Sequence, residues 1–155
     1  GGLMEHTLGV TELCDYMSKA YPVINRDLLI TASLLHDIGK TKELSAFPLN
    51  DYTDEVSFWD ILYGAQMIND LAADTGISEV LKNELIIVSC PITENLNDGS
   101  PKKPALVEAV ALNLADNTDA RMETITEIFA ANKSKKEWLG YNKLFESNLR
   151  RTDEV

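Results

Sequence analysis

Cysteine is scarce. The chain has two in 155 residues, Cys14 and Cys90, far apart and without the close spacing that metal-binding thiols show. They read as reduced core or near-core residues of a cytosolic protein rather than as a bridge. No apolar run approaches the ~20 residues of a membrane span, and no secretory leader is visible, so the expected location is cytoplasmic. The chain opens on Gly1 rather than Met, as a processed or excised piece would. Basic residues are also few: 14 Lys and Arg stand against 25 Asp and Glu, for a net charge of −11. Such a surface repels a phosphate backbone, so nucleic acid is expected as a partner only through another domain. The small basic clusters, Lys102-Lys103, Lys133 to Lys136 and Arg150-Arg151, read as solvated surface. Gly and Pro number 8 and 5, too few for a low-complexity chain. With 45% hydrophobic and 25% charged residues, the chain suits one ordinary globular domain over 1–155, large enough for a core without staples.

What is present centres on Leu34-Leu35-His36-Asp37-Ile38-Gly39-Lys40. An apolar run from Leu28 to Leu35 reads as a buried helix, and a histidine, a carboxylate and a lysine follow within five residues. An ionised Asp in a dry setting costs free energy unless it is paired or bound to a metal. Gly39 suits the left-handed position just past a helix end, which would fix where His36, Asp37 and Lys40 point. Imidazole beside carboxylate is half of a divalent-metal site, and a nearby lysine can neutralise a phosphate. The plain alternative is a His-Asp pair that only caps or solvates the helix end.

The remaining chain supplies partners. From Leu3 to about Tyr21 the pattern is helical, with His6, Val10, Leu13 and Met17 on one stripe, so His6 lies among apolar neighbours. Tyr21-Pro22 ends that helix, and Asn25 or Asp27 caps the next. Residues 41–57 read as a connection. A helix from about Ser57 to Ala73 turns Ile61, Ala65, Ile68 and Leu71 inward, with Asp60 near its start, where a carboxylate favours the helix dipole. Gly76 breaks the chain. Ser78 caps a helix carrying Val80, Leu81, Ile86, Ile87 and Val88 that Pro91 stops. Residues 91–104 hold three prolines and read as a lid or binding loop. A long helix from about Ala105 to Ala131 sets Ala109, Leu112, Asp116 and Ala120 on one face, so Asp116 has apolar neighbours. Asp119 with Arg121 reads as an ion pair on an exposed flank. Residues 135–150 read as a last amphipathic helix with Trp138, Leu139, Leu144 or Phe145, and Leu149 inward. The fold class is all-α.

His6, His36, Asp37 and Asp116 thus come from three helices, each at an inward or terminal position. Two imidazoles and two carboxylates suit a borderline divalent ion such as Mn, Fe, Co, Ni or Zn, whereas Mg and Ca prefer all-oxygen surroundings. Such an ion acts as a Lewis acid and activates water, and Lys40 would neutralise charge developing on a phosphoryl oxygen.

The order His, His-Asp, Asp on a helical chain resembles the HD-domain metal-dependent phosphohydrolases. GGLMEHT at 1–7, RDLLITASLLHDIGKTKEL at 26–44, GAQMI at 64–68, GSPKKP at 99–104 and LADNTDARM at 114–122 are similar to the HD domain of YhaM-type 3′→5′ exoribonucleases. The resemblance implies a bundle of about six or seven helices, with a motif-bearing part over 1–122 and a helical extension over 123–155. It implies metal ligands at His6, His36, Asp37 and Asp116, and Lys40 near the scissile phosphate. Two departures stand out. Asp60 and Cys90-Pro91 occupy positions where such domains carry histidines for a second metal. With two histidines in the chain, a two-metal site complete with its histidines is excluded, although Asp60 remains a candidate extra oxygen ligand and Cys90 a candidate thiolate.

The expected function is a phosphomonoesterase or phosphodiesterase working with one divalent metal, manganese among the candidates, on a nucleotide or other phosphate ester. Alternatives are a degenerate HD domain that regulates, scaffolds or binds a nucleotide without turnover, and a plain helical interaction module. A homodimer is one assembly open to it.

Overall fold

The computed structural model describes residues 2–43, 60–90, 105–132 and 137–152, apart from the side chains of Glu43 and Asp60. Six helical segments run in order: α1 (Gly2–Ala20), α2 (Arg26–Leu35), α3 (Lys40–Glu43), α4 (Asp60–Thr75), α5 (Glu79–Ser89) and α6 (Val107–Ala131). Two short strands follow, β1 (Trp138–Asn142) and β2 (Ser147–Arg150). The fold is therefore helical, as the periodicity predicts, with one small antiparallel hairpin that it does not predict. Among the described residues no helix is long and apolar enough to cross a membrane. The chain forms two compact units, Gly1–Ala120 and Arg121–Val155.

In the first unit α1 packs on α2, α2 on α5, and α4 on both α5 and α3. Val10 and Cys14 from α1 meet Leu28, Leu29 and Ala32 from α2, Ile68 from α4, Leu85 and Val88 from α5, and Ala109, Leu112 and Ala115 from α6. Local chemistry sets the joints. Asn25 is the N-cap of α2, its side chain accepting from Leu28 N–H at 3.2 Å. The buried Glu108 carboxylate of α6 accepts from Asn25 N–H at 2.7 Å, tying α6 to the same helix start. Asp15 of α1 takes Lys19 on its own helix and Arg26 of α2, whose Nη2 donates at 2.7 Å. These two cations hold the Asp15 carboxyl below its usual range.

On α4 and in the tail the structure departs from the sequence reading, and on α5 it selects the packed face. On α4 the inward face carries Gly64, Ile68 and Ala72, while Leu71 is half exposed; the stripe is turned by one residue from Leu71. On α5, Val80, Leu81 and Ile87 are exposed, and Leu85 and Val88 carry the packing. Residues 138–150 form a hairpin, not a helix. Gly140 (φ 93) and Glu146 (φ 48) adopt left-handed backbone, which ends any helix. The Asn142 side chain accepts from Leu144 N–H at 2.9 Å and shapes the turn. In this second unit Arg151 donates to the carbonyls of Phe129 and Asn132 at 2.7 and 2.6 Å, closing the C-terminal end of α6. Of the connection expected over 41–57, residues 41–43 belong to α3; the rest of it and the loop expected over 91–104 lie outside the described residues.

Candidate metal centre

His6 sits on the inner side of α1, one turn before the fully buried Val10. Its ring is held from behind: Nδ1 lies 2.7 Å from Asp119 Oδ2 of α6. A carboxylate accepts only, so Nδ1 carries the proton and donates. Nε2 is turned the other way, 3.0 Å from Asp116 Oδ1. Asp116 and Asp119 lie three residues apart on α6, the spacing that puts two side chains on one helix face. Their approach depends on Gly9. A Cβ at that position would stand 2.1 Å from Asp119 Oδ1, so the Asp119 carboxylate occupies the space that a side chain on α1 would fill.

His36 is the C-cap of α2. Its Nδ1 donates to the Ser33 carbonyl at 2.7 Å, one of the carbonyls that a helix end leaves without an internal partner. That bond fixes the tautomer with an unprotonated Nε2, which lies 3.5 Å from His6 Nε2. The two rings meet edge to face, with centroids 5.4 Å apart. The chain does not break here. Ile38 N–H bonds to Leu35 O, Lys40 N–H to Asp37 O, Thr41 N–H to Ile38 O and Lys42 N–H to Gly39 O, a run of tight turns leading into α3. Gly39 is thus not in the left-handed region; among the described glycines that region is taken by Gly76 and Gly140. Gly64 of α4 lies against it, where a Cβ added to Gly64 would make an ordinary 3.7 Å contact with Gly39 N. Asp37 Oδ2 then stands 3.5 Å from His36 Nε2 and 3.7 Å from His6 Nε2, with Lys40 Nζ bound to it at 2.8 Å.

His6, His36 and Asp116 each offer a ligand atom within 4.8 Å of the others, and Asp37 lies beside both imidazoles. His36 and Asp37 have side chains 7% and 10% exposed, whereas Asp116 is 39% exposed, so the cluster is dry at its base and open on the Asp116 side. Both Nδ1 hydrogens are used by Asp119 and Ser33. With both rings neutral, what converges is a set of acceptors: two ring lone pairs and two carboxylates. Acceptors facing one another repel unless a cation lies between them, and this mixture of nitrogen and oxygen suits a borderline divalent ion.

Comparison with known proteins agrees with that chemistry. Residues 3–121 match the HD domain family. The chain belongs to this family. It is 32% identical over 124 residues to the 3'-5' exoribonuclease YhaM of Bacillus subtilis (strain 168), covering 78% of this chain and 39% of that protein. It is 35% identical over 130 residues to the YhaM exoribonuclease of Geobacillus sp. (strain WCH70), covering 80% of this chain and 39% of the other. The HD chain thus spans about two fifths of the length of these relatives. No solved structure matches it significantly.

Of the residues singled out in the sequence, this HD domain brings His6, His36, Asp37 and Asp116 together and places Lys40 on Asp37. Asp60 is the first residue of α4, and its side chain lies outside the described part. Cys90 is the C-cap of α5 and lines a small cavity with His36, Ile61, Gly64 and Ser89. Asp119, which the sequence casts as part of a solvated flank, is instead the anchor of His6. The sequence signal for that role is Gly9. An internal helix glycine is unfavourable by ~1 kcal/mol relative to Ala, and here it lies three residues after the metal-capable His6.

Proposed function

We propose that this HD domain is a metal-dependent phosphohydrolase that cleaves a phosphodiester or phosphomonoester with one bound divalent ion. The observation that carries the reading is the pair of imidazoles whose Nδ1 atoms are both engaged and whose Nε2 atoms both face Asp37 and Asp116. His6, His36, Asp37 and Asp116 are the proposed ligands, and Mn, Fe, Co, Ni or Zn fits that donor set better than Mg. When bound, such an ion supplies Lewis acidity and makes water more acidic.

The chain's own residues carry the rest. The open Asp116 side is where the ester reaches the cluster. Asp37 is the proposed acceptor of the proton that water releases as its oxygen bonds to phosphorus; the ester P–O bond breaks and the leaving oxygen takes up the proton that Asp37 received. Lys40, held beside Asp37, offsets charge growing on a phosphoryl oxygen. The relatives named as 3'-5' exoribonucleases make an RNA phosphodiester the first substrate to try. A cytoplasmic location belongs to the same reading, supported by Cys14 and Cys90 standing outside any disulfide.

A second reading is a degenerate HD domain that binds a nucleotide without turnover. It draws on Cys90, which stands beside His36 in the cavity lining where a histidine would be expected. The test is metal analysis of the purified chain together with hydrolysis of a generic aryl phosphodiester in added Mn²⁺. One ion per chain, and turnover abolished in both His36→Ala and Asp37→Ala, is the expected result. Nucleotide binding without product, with or without an ion, would establish the second reading, and no stoichiometric ion would defeat the first.

A further inference from the structure

The hairpin carries a surface that the metal centre does not use. Trp138 pairs with Arg150, Gly140 with Leu149, Tyr141 with Asn148 and Asn142 with Ser147, and the register slips between Trp138 and Gly140. The slip matters. Trp138 and Tyr141 are three residues apart and would point to opposite faces of a regular strand. The extra residue, Leu139, puts them on one face. Their partners Arg150 and Asn148 are two apart on β2 and so share that face too. Leu149 and Leu139 are partly buried, while all four residues of the outer face are exposed. Trp138 and Tyr141 show 60% and 66% of their surface to solvent.

Exposed Trp and Tyr on one small sheet face need a reason, because burying aromatic area is among the largest gains a chain can make. Charge says what covers them. Between Asn132 and Thr152 the sequence has six Lys and Arg against two Glu, in a chain whose net charge is −11, and Asp153 and Glu154 follow. The Arg150 guanidinium lies 5.9 Å from the centre of the Trp138 ring, and its link to the exposed Glu137, at 3.0 Å, is of the kind that exchanges readily in water. A flat ring beside a guanidinium, with a second ring roughly 7 Å further along the face, suits a base, a phosphate and the next base. An acidic peptide would use the charge and leave the rings idle.

We propose that the outer face of this hairpin, Trp138, Tyr141, Asn148 and Arg150, binds single-stranded nucleic acid by stacking bases on the two rings. The proposal does not rest on the metal-centre reading. It reverses, for this segment, the expectation drawn from the acidity of the whole chain.

The test uses the full chain in EDTA, so that no metal or turnover enters. A fluorescein-labelled ten-nucleotide oligoadenylate RNA is titrated at low salt and followed by anisotropy. In parallel, Trp138 emission is read in a Trp59→Phe background, where Trp138 is the remaining tryptophan. Expected are saturable binding that weakens steeply with salt, quenching of Trp138 over the same concentrations, and losses of about tenfold for Trp138→Ala and for Tyr141→Ala. Trp138→Phe, which keeps a ring and the hairpin, recovers most of the affinity. Absence of binding by the wild-type chain overturns the proposal. So does equal affinity for an abasic oligonucleotide, or binding that leaves Trp138 emission unchanged. A missing ion at the metal centre would leave this result untouched.

Discussion

Replacing Gly9 by Ala should loosen the metal centre while leaving the fold as stable as before, or more so. The new methyl would lie 2.1 Å from Asp119 Oδ1 and 2.9 Å from its Cγ. Ordinary contact needs about 3.5 Å, so the carboxylate must retreat by an ångström or more. Asp119 Oδ2 now sits 2.7 Å from His6 Nδ1, and the same displacement carries it beyond hydrogen-bonding distance. His6 then loses the acceptor that fixes its tautomer and aims Nε2. Removing a partner of this kind lowers metal affinity ~10–100-fold, about 1.4–2.7 kcal/mol. On the other side, alanine in a helix interior is preferred over glycine by about 0.8–1.0 kcal/mol. The two effects have opposite signs, and that separates them. Calorimetric titration of metal-stripped protein with Mn²⁺ should show the weakened site, and a urea melt of the same metal-free protein should show an unchanged or raised midpoint. Affinity within threefold of wild type would refute the role given to Asp119. A variant weaker in both measurements would show that the methyl spreads α1 and α6 apart instead. Asp119→Asn, which keeps an acceptor, should fall between wild type and Asp119→Ala in affinity.

Two further outcomes follow from buried groups. Glu108 is 6% exposed and accepts the Asn25 N–H at 2.7 Å, so Glu108→Ala leaves a donor unmet at the start of α2 and should cost about 1–3 kcal/mol in urea unfolding, with Glu108→Gln closer to wild type. Burial pushes the Cys14 thiol up from 9.0 to about 12, with Asp116 adding to the effect; the folded chain holds the neutral thiol while the unfolded chain ionises near 9. Its contribution to stability is complete below that pH and is lost as pH rises toward 12, so the gap between wild type and Cys14→Ala in urea midpoint should shrink between pH 8 and pH 11, and a constant gap would contradict it.

How far the sequence can be read depends on whether a residue's neighbours carry a pattern. His6, His36 and Asp116 are legible because each is a polar residue on an otherwise apolar stripe, a conflict that needs a reason. Asp119 is not, because next to Arg121 it looks like any solvated pair, and what lets it reach His6 is the missing side chain at Gly9 on another helix. On α4 the pattern favours the heavier side chain Leu71 inward over Ala72. In the structure Ala72 is buried and Leu71 half exposed. The tail misleads for a different cause. Trp138, Leu139, Phe145 and Leu149 match a helical period by count, but Gly140 and the turn around Asn142 decide the backbone, and a bulge then hides the strand alternation. Helical periodicity is a poor guide wherever one residue has to take a left-handed backbone.

The charges of the centre explain why an acidic chain can be organised around it. Asp37, Asp116 and Asp119 gather at two imidazoles, each with a hydrogen-bonded Nδ1, and among the described residues the ammonium within hydrogen-bonding distance of Asp37 is that of Lys40. Three carboxylates against one lysine leave about two negative charges in a partly dry site, where repulsion is far stronger than in water. A divalent cation brings that sum near zero. A second lysine would do so only in part, and a proton shared between His6 and Asp116 would do no more. Under the proposed function, the same neutralisation would let a phosphate approach a surface that otherwise repels it. On that reading, ligand set and substrate access would thus be one electrostatic requirement, met at the exposed Asp116 edge.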